Sequence, residues 1–213
     1  KDYRRKGVAL VAISPNDPLA VRLDELGYTD VGDSFEDMKI HAKDQAFDFP
    51  YLYDGSLDYE REYLATYQNT PDAILVGAFD GAKLVGAATG TPMEAHAEEF
   101  AEPLSRAGFV PSDLFYCAES VLLTEYRGRG AGHAFFDARE AHARTLGRTR
   151  SAFCAVIRPP DHPLRPAGYS PLDPFWHARG YGPLAGILAE FRWTDVGEAE
   201  QTAKQLQFWA KEL

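Results

Sequence analysis

The chain has 213 residues, of which 45% are hydrophobic and 25% are charged, as is ordinary for a globular protein with one sizeable core. Its net charge of −10 argues against a general nucleic-acid binder or a binder of anionic membranes. No uncharged apolar run approaches the roughly 20 residues that span a bilayer, no signal peptide is visible, and Cys117 and Cys154 form no metal-ligand cluster. We therefore expect a cytoplasmic protein with no metal site and no membrane or nucleic-acid partner.

The N-terminal part contains one clear strand signal and two helix signals. Gly7 to Ile13 is a continuous apolar run rich in β-branched residues, and it predicts a buried strand. A helix is predicted from Ser34 to about Ala46, because a Ser-x-x-Asp capping pattern opens it ahead of apolar residues. A shorter helix is predicted from Tyr59 to Tyr67. The chain begins at Lys1 without a methionine, which leaves open that it is a fragment.

The next segment predicts a hairpin followed by a helix. Ala73 to Phe79 and Lys83 to Gly90 read as two strands, and Asp80-Gly81 between them is a strong turn signal. Thr91 to Ala107 is polar and predicts a helix. Its glutamates favour a solvated face over a lid that contacts a substrate.

The stretch from Arg127 to Gly132 is the most informative in the chain. It follows a predicted fourth strand, Asp113 to Leu123, and precedes a predicted helix that Gly147 ends. Backbone N–H groups in a glycine-rich turn between a strand and a helix converge on the helix N-terminus, where they bind phosphate. The turn lacks the Gly-Lys-Ser/Thr of a P-loop, and its spacing differs from the dinucleotide-binding fingerprint. A structural turn that lets the helix pack close to a sheet is the alternative.

The helix after this turn has one small and apolar face, with charged residues mostly on the others. We expect the apolar face to pack on the core and the charged residues to lie outside it. The first set is Ala131, Ala134, Phe135, Ala138 and Ala141, and the second is Asp137, Arg139, Glu140 and Arg144.

The C-terminal part predicts a fifth strand, a stiff proline-rich loop, one or two turns of helix and two final strands. Cys117 and Cys154 fall on the fourth and fifth strands, and we expect them to be core thiols rather than a reactive pair. The predicted bounds are Ser151 to Arg158, Pro159 to Pro174, Phe175 to Arg179, Ile187 to Trp193 and Leu206 to Lys211.

Arg127, Gly130 and Gly132 match the specified positions of Gln/Arg-x-x-Gly-x-Gly/Ala, the pyrophosphate loop of the GCN5-related N-acetyltransferase (GNAT) family. The hairpin sequence AFDGAKLVGAATG also resembles the usual sequence of that family's second and third strands. The resemblance extends over about residues 49–213. It implies an α/β fold with a mixed, mostly antiparallel sheet flanked by helices. The fourth and fifth strands of this fold splay apart, and the acyl thioester lies in the gap between them.

Residues 1–55 resemble a different family. GVALVAISPNDP, DSFEDMKIHAKDQAF and FPYLYDG are similar to the middle of a thioredoxin-like redoxin of the peroxiredoxin-related kind. The active-site cysteines of that family are missing, so the segment is predicted to be redox-dead. We expect two parts, a redoxin-like segment at 1–55 and an acetyltransferase domain at 56–213. The first part would take the places of the fold's first strand and first helix.

The GNAT resemblance implies that the chain binds acetyl-CoA (coenzyme A) and moves its acetyl group to an amine of a small-molecule acceptor. The turn at 127–132 would hold the pyrophosphate, and the backbone just before it would lie beside the pantetheine and the thioester. The implied cofactor-binding residues are Leu122, Leu123, Arg127, Gly128, Arg129, Gly130, Ala131 and Gly132.

Acetyl transfer to an amine also needs a base and an acid. Glu119 is the candidate base, because it lies in the fourth strand among apolar neighbours, which raise the pKa of a carboxyl group toward the working range. The alternative is a structural carboxylate paired with an arginine or a tyrosine. Trp176 in FWHARGY replaces the tyrosine that the family commonly uses as the acid, and we expect Trp176 to pack. His177, Tyr169 or solvent would then protonate the leaving thiolate.

Arg158 and Arg165 flank the expected acceptor channel. Two guanidinium groups there suit an acceptor that carries a carboxylate, although a salt-bridged loop explains them equally well. Two rival functions are a non-catalytic acyl-CoA-binding protein and a remnant of a thioredoxin-like redox protein, and the missing cysteines argue against the second. The sequence leaves open the acceptor, the acyl chain and the oligomeric state, including a homodimer.

Overall fold

The computed structural model describes residues 9–13, 67, 70–81, 83–96, 98–162, 165, 168–194 and 198–213. Short 3-10 turns occur at Met93–Ala95, Pro111–Asp113 and Thr124–Tyr126. The described strands are β1 (Ala9–Ile13), β2 (Ile74–Asp80), β3 (Lys83–Pro92), β4 (Leu114–Leu122), β5 (Arg150–Val156), β6 (Gly182–Trp193) and β7 (Thr202–Glu212), and the described helices are α1 (Glu98–Arg106), α2 (Ala131–Thr145) and α3 (Asp173–Ala178).

The described strands form one mixed sheet in the order β1-β2-β3-β4-β5-β7-β6. All neighbouring strands are antiparallel except β4 and β5, which are parallel. The predicted hairpin joins β2 to β3, but Asp80 still belongs to β2 and aligns with Lys83, so the turn begins at Gly81, which has a positive φ of 60°. The predicted first strand is present as β1 at the sheet edge. The predicted fold class, a mixed and mostly antiparallel sheet flanked by helices, is confirmed.

The parallel strands β4 and β5 pair only at their N-terminal ends. Their last aligned pair is Tyr116 with Ala152, although β4 continues to Leu122 and β5 to Val156. The rest of β5 stays paired with β7 on its other side. A gap therefore opens between β4 and β5 after Tyr116, as expected.

An extra residue interrupts the pairing of β3 with β4. Ala88 aligns with Ser120, whereas Gly90 aligns with Cys117, so Thr89 opposes two residues of β4, Ala118 and Glu119. This is a β-bulge, which bends a strand and changes the direction of its side chains. It lies beside the gap.

Helices cover both faces of the sheet. On one face Leu114 and Tyr116 of β4 belong to a core cluster with Phe100 of α1. On the other face Phe115 belongs to a cluster with Phe135 of α2. Because successive strand residues point to opposite faces, β4 contributes to both cores.

Several predicted bounds were wrong. The helix predicted from Thr91 begins only at Glu98, because Thr91 and Pro92 continue β3 and pair with β4. Strand pairing here overrides the polar, helix-like composition. Helix α3 begins at Asp173, and β6 and β7 begin earlier than predicted, at Gly182 and Thr202. The helices predicted at 34–46 and 59–67 lie outside the described residues, apart from Tyr67, which is helical.

The predicted faces of α2 were also partly wrong. Arg139 and Glu140 are buried, while Ala141 is exposed. Arg139 hydrogen-bonds backbone carbonyl groups, and Glu140 pairs with Arg179 and Lys211. Charged side chains enter a core when such partners satisfy them.

Candidate functional site

The N-terminus of α2 has the geometry of an anion site. Gly130 precedes the helix with φ 93° and ψ −1°, and Gly128 has φ 72°. Residues other than glycine rarely adopt these backbone angles. No side-chain cap satisfies the first turn, and the first N–H groups of a helix have no intrahelical acceptor. The turn therefore presents donors for an anion at the positive end of the helix dipole.

Tyr126 anchors this turn to the β2–β3 hairpin. Its hydroxyl donates to Asp80 Oδ2 at 2.7 Å, and this hydrogen bond raises the pKa of Tyr126. The guanidinium of Arg129 lies 4.9 Å from the centre of the Tyr126 ring. Arg127 is exposed, and its Nε donates to Leu122 O at 3.4 Å. Both arginines thus stay at the surface of the turn, where they add positive charge.

The backbone of Leu123 is already engaged. Its N–H donates to Val85 O at 2.9 Å, and its carbonyl accepts from the Tyr126 N–H at 3.0 Å. Leu122 is aligned with Gly86 in the sheet. A contact between Leu123 and a ligand would therefore use its side chain or the second lone pair of its carbonyl oxygen.

Glu119 lies in the bulge of β4, half-buried beside the gap. Its N–H donates to Thr89 Oγ1 at 3.1 Å, and its carbonyl accepts from Arg139 Nη1 at 3.1 Å. The carboxylate acts electrostatically on Tyr116 and on Cys154, since it contributes to the raised pKa of each group. The structure thus brings Glu119 together with two residues that the sequence did not assign to the site.

Tyr116 and Cys154 meet where β4 and β5 separate. Tyr116 Oη lies 2.8 Å from Cys154 Sγ. Burial, with a smaller contribution from Cys154, raises the pKa of Tyr116 well above its ordinary value, and burial raises that of Cys154 to about 12. The ring of His96 stacks on Tyr116 with centroids 4.7 Å apart. These residues form the floor of the gap on the side of α1.

Sequence reasoning missed this floor. The available signals were the position of Tyr116 three residues before Glu119 and that of Cys154 on the neighbouring strand. Neither signal reveals the bulge that brings Glu119 to the same side. Cys117 has a different partner, Ser151 Oγ at 3.2 Å, so the two cysteines are not a pair.

The candidate acids lie around α3 and the proline-rich loop. Trp176 packs between Phe153 and Trp209, with ring centroids 5.0 and 5.1 Å away. His177 is exposed at the other side of Trp209, and Tyr169 is exposed on the loop. The position of Trp176 agrees with the packing role expected for it.

The two candidate acceptor-binding arginines differ in their surroundings. Arg165 is exposed, donates from Nη1 to Pro160 O at 2.7 Å and lies over the ring of Tyr169 at 5.1 Å. Arg158 is half-buried just beyond the end of β5. Arg165 thus helps to shape the loop, whichever ligand approaches it.

A buried ion cluster ties α2 to α3 and β7. Arg179 Nη2 lies 2.8 Å from both Asp137 Oδ1 and Glu140 Oε1, and Lys211 Nζ lies 2.7 Å from Glu140 Oε2. Burial alone would raise the pKa of Glu140, but the hydrogen bonds from Arg179 and Lys211 outweigh it, so the pKa is lowered. The hydroxyl of Tyr181 lies 3.2 Å from Glu140 Oε1. The cluster ties down α2, the helix that begins at the glycine turn.

Within the described ranges, no group of three or more His, Cys, Asp or Glu side chains is arranged to hold a metal ion. In the same ranges, no helix is long and apolar enough to cross a membrane.

Residues 40–167 match the family model described as Acetyltransferase (GNAT) family, which covers more than half of the chain. The chain belongs to this family. Membership in the GNAT family agrees with the splayed β4 and β5 and with the glycine turn at the start of α2. No curated protein matches the chain in sequence.

Solved structures share the fold at low sequence identity. Arabidopsis thaliana NAA60, in complex with a bisubstrate analogue, is 13% identical over 97% of this chain and 99% of its own, with a TM-score of 0.55. An acetyltransferase from Streptococcus agalactiae is 14% identical over 97% and 99%, with a TM-score of 0.51. A GNAT acetyltransferase from Elizabethkingia anophelis with acetyl-CoA bound is 11% identical over the full length of both chains, with a TM-score of 0.47.

These comparisons give no support to the redoxin-like resemblance of residues 1–55. The family match already begins at residue 40. Most of residues 1–55 lie outside the described ranges, so the domain boundary at residue 55 stays a prediction.

Proposed function

We propose that the chain transfers the acetyl group of acetyl-CoA to an amine of a small molecule, with Glu119 as the base. The observation that carries the proposal is that two parts of one strand–turn–helix segment are built for a cofactor. The uncapped N-terminus of α2 offers donors to a phosphate, and the preceding strand β4 borders a gap where the Glu119 carboxylate acts on Tyr116 and Cys154.

The spacing of these two parts defines the shape of the ligand. The β4–β5 pairing ends at Tyr116, and β4 itself ends near the turn at Leu122. Because strand residues rise about 3.3 Å each, these two residues lie roughly 20 Å apart along the strand. A ligand that uses both places needs an anionic group and a reactive group joined by a long extended arm. Acetyl-CoA has this form and is the cofactor, as membership in the acetyltransferase family implies.

The protein's own groups prepare the acceptor. Bound acetyl-CoA supplies an acetyl group that is activated as a thioester. The Glu119 carboxylate accepts a proton from the acceptor's ammonium group, which leaves a neutral, nucleophilic amine in the gap. Tyr116 and Cys154 stay protonated at neutral pH because burial raises their pKa values, that of Cys154 to about 12. They share one hydrogen bond, for which either can be the donor, and they do not compete with Glu119 as bases.

Arg158 and Arg165 are proposed to bind a carboxylate on the acceptor. The hydrogen bond to Pro160 and the stacking on Tyr169 fix the guanidinium of Arg165 at the rim of the proline-rich loop. The general acid is one of His177, Tyr169 and solvent. A cytoplasmic location and a homodimer stay predictions.

A non-catalytic acyl-CoA-binding protein is the second candidate. The observation that favours it is the packing of Trp176 between Phe153 and Trp209, because an indole has no acidic proton to give where the family commonly places a tyrosine. This candidate predicts cofactor binding without turnover for any amine.

The first test is calorimetric titration of the chain with acetyl-CoA and with coenzyme A. We expect micromolar binding by the parent chain and none by Gly130→Glu, since the added side chain is bulky, anionic and strained at a φ of 93°. Gly147→Glu is the matched control. It introduces the same side chain at a glycine with φ 73° and open surroundings, at the other end of α2, and it should bind as the parent does.

Absence of binding by the parent chain would overturn the proposed function. Equal loss in both glycine variants would show that strain, and not the phosphate site, removes binding. If the parent binds, release of free thiol from acetyl-CoA is then measured with a panel of amines that do and do not carry a carboxylate. Turnover with an amine supports the enzyme, and binding with no turnover for any amine supports the second candidate.

A further inference from the structure

Arg139 is a charged residue that neither the phosphate turn nor the proposed chemistry uses. It lies on α2 and is 0% exposed. Its guanidinium also lies 4.7 Å from the centre of the Phe136 ring. A cation in this position is costly unless its donors are satisfied, so its hydrogen bonds indicate what it does.

The recorded hydrogen-bond partners of Arg139 are all backbone carbonyl groups. Nε donates to Phe135 O at 3.2 Å, within the same helix, while Nη1 donates to Thr89 O and to Glu119 O, both at 3.1 Å. Nη2 has no partner among the residues that the structure describes. Arg179 is different, because it lies between two carboxylates and so closes an ion cluster.

The two distant carbonyls belong to the residues that form the bulge. Thr89 is the residue of β3 that opposes two residues of β4, and Glu119 is one of those two. A bulge interrupts the regular pairing of a sheet, so the backbone groups there need other partners. One nitrogen of Arg139 serves both carbonyls. Within the same bulge, the Glu119 N–H donates to the Thr89 hydroxyl.

We propose that Arg139 is a positioning residue that holds the bulge of β4 so that Glu119 faces the Tyr116–Cys154 floor of the gap. Without the guanidinium, the carbonyls of Thr89 and Glu119 lose a buried donor. They can then regain hydrogen bonds if β4 shifts to regular pairing with β3 or if water enters. Either change turns the Glu119 side chain away from the acceptor. Because α2 also begins with the phosphate-binding turn, one helix fixes both the cofactor's anionic end and the base. The inference rests on the proposed role of Glu119.

The test compares Arg139→Met and Arg139→Lys with Lys211→Met. Methionine keeps much of the length but has no donor, whereas lysine keeps the charge and donors that reach one carbonyl. Lys211→Met removes a half-buried cation that also contacts α2, through Glu140, and does not touch the bulge. Calorimetry with acetyl-CoA gives the fraction of intact sites, and kcat is expressed per intact site.

We expect Arg139→Met to lower kcat per site about 100-fold, the size of effect that a displacement of about 1 Å produces, with the acetyl-CoA Kd within about twofold of the parent's. Arg139→Lys should recover part of this loss, and Lys211→Met should keep the parent's kcat per site. In a Glu119→Gln background, Arg139→Met should cause no further loss, because both changes act through one group. Parent-like kcat per site in Arg139→Met would overturn the inference. If Arg139→Met does not fold, the inference is overturned by a parent-like kcat per site in Arg139→Lys.

A second readout does not need turnover. The Glu119 N–H is bonded to Thr89 inside the bulge, so its hydrogen exchange reports on the bulge directly. We expect exchange in the peptide 114–122 to be faster in Arg139→Met than in Lys211→Met, and equal exchange contradicts the inference.

Failure of the proposed function can be told apart from failure of this inference. If Glu119→Gln turns over like the parent, Glu119 is not the base, whereas an inactive Glu119→Gln with a parent-like Arg139→Met overturns only the role of Arg139.

Discussion

The glycine turn at 127–132 and the gap between β4 and β5 lie at the two ends of one strand, but they are built in different ways. The turn takes its shape from its own backbone, through the positive φ values of Gly128 and Gly130 and an uncapped helix. The gap takes its shape from distant residues, including the contact of Tyr116 with Cys154 and that of Glu119 with Arg139. We therefore expect that cofactor binding and catalysis can be lost separately.

Two buried arginines show the same contrast on a smaller scale. Arg179 joins Asp137 and Glu140 and thereby locks α3 against α2. Arg139 bonds carbonyl groups and thereby shapes a strand. The first arginine therefore contributes mainly to stability, and the second is expected to contribute mainly to the geometry of the site.

The largest effect is expected from Glu119→Gln, which should separate the gap from the turn. Loss of a general base lowers rates by about 10²- to 10⁴-fold, while the uncharged glutamine leaves the phosphate site untouched. We expect kcat to fall by this amount and the acetyl-CoA Kd to stay unchanged, as measured by steady-state thiol release and calorimetry.

Ser120→Ala is the control for Glu119→Gln, since Ser120 is the next residue of β4 and is exposed. It should retain parental turnover. Parental turnover in Glu119→Gln would instead assign the carboxylate a structural role, and loss of acetyl-CoA binding there would show that the turn and the gap are not independent.

A smaller effect, on stability rather than activity, is expected from Glu140→Gln. The Glu140 side chain is 5% exposed, and its loss leaves Lys211 without this carboxylate and Arg179 with Asp137 as its remaining carboxylate in the cluster. Removing one partner of a buried ion pair costs about 3 kcal/mol or more. Urea unfolding followed by circular dichroism should show this decrease at pH 7, and kcat per intact site should be retained.

The contribution of Glu140 to the free energy of unfolding should depend on pH in one direction. The pKa of Glu140 is lowered in the folded protein, so its contribution is complete above the unfolded carboxyl pKa of about 4.3 and is lost as the pH falls through the folded pKa. The stability difference between the parent and Glu140→Gln should therefore shrink below that pH. Arg144→Met is the control, because Arg144 is 50% exposed and 4.0 Å from Glu140, which limits its effect to less than about 1 kcal/mol. A difference that grows on acidification would contradict the assignment.

The smallest effect is expected from Trp176→Phe. If Trp176 only packs between Phe153 and Trp209, the change removes part of an aromatic contact and costs about 1 kcal/mol, with kcat within about twofold of the parent's. Thermal unfolding and steady-state thiol release measure both quantities. A tenfold loss of kcat would place the indole in the chemistry of the gap and weaken the contrast between packing and catalytic residues.

Local signals in the sequence predicted much of the fold. Asp80-Gly81 predicted the β2–β3 hairpin because two-residue turns of this type need few other contacts. The apolar run before Ile13 predicted β1, and the spacing of Arg127, Gly130 and Gly132 indicated the family to which the chain belongs. Predictions made from polarity were weaker. Thr91 and Pro92 looked helical but extend β3, because β4 offers them partners.

The residues from Arg127 to Gly132 were enough to predict a glycine turn at the start of a helix, since glycine conformation and helix starts are properties of consecutive residues. The sequence also indicated Glu119, from its place on the fourth strand before the turn. Only the tertiary structure decided that Arg139 and Glu140 are buried, that β4 has a bulge and that Tyr116 meets Cys154. Sequence periodicity assigns a charged residue to the surface, whereas the fold can bury it where distant carbonyls or counter-charges satisfy it.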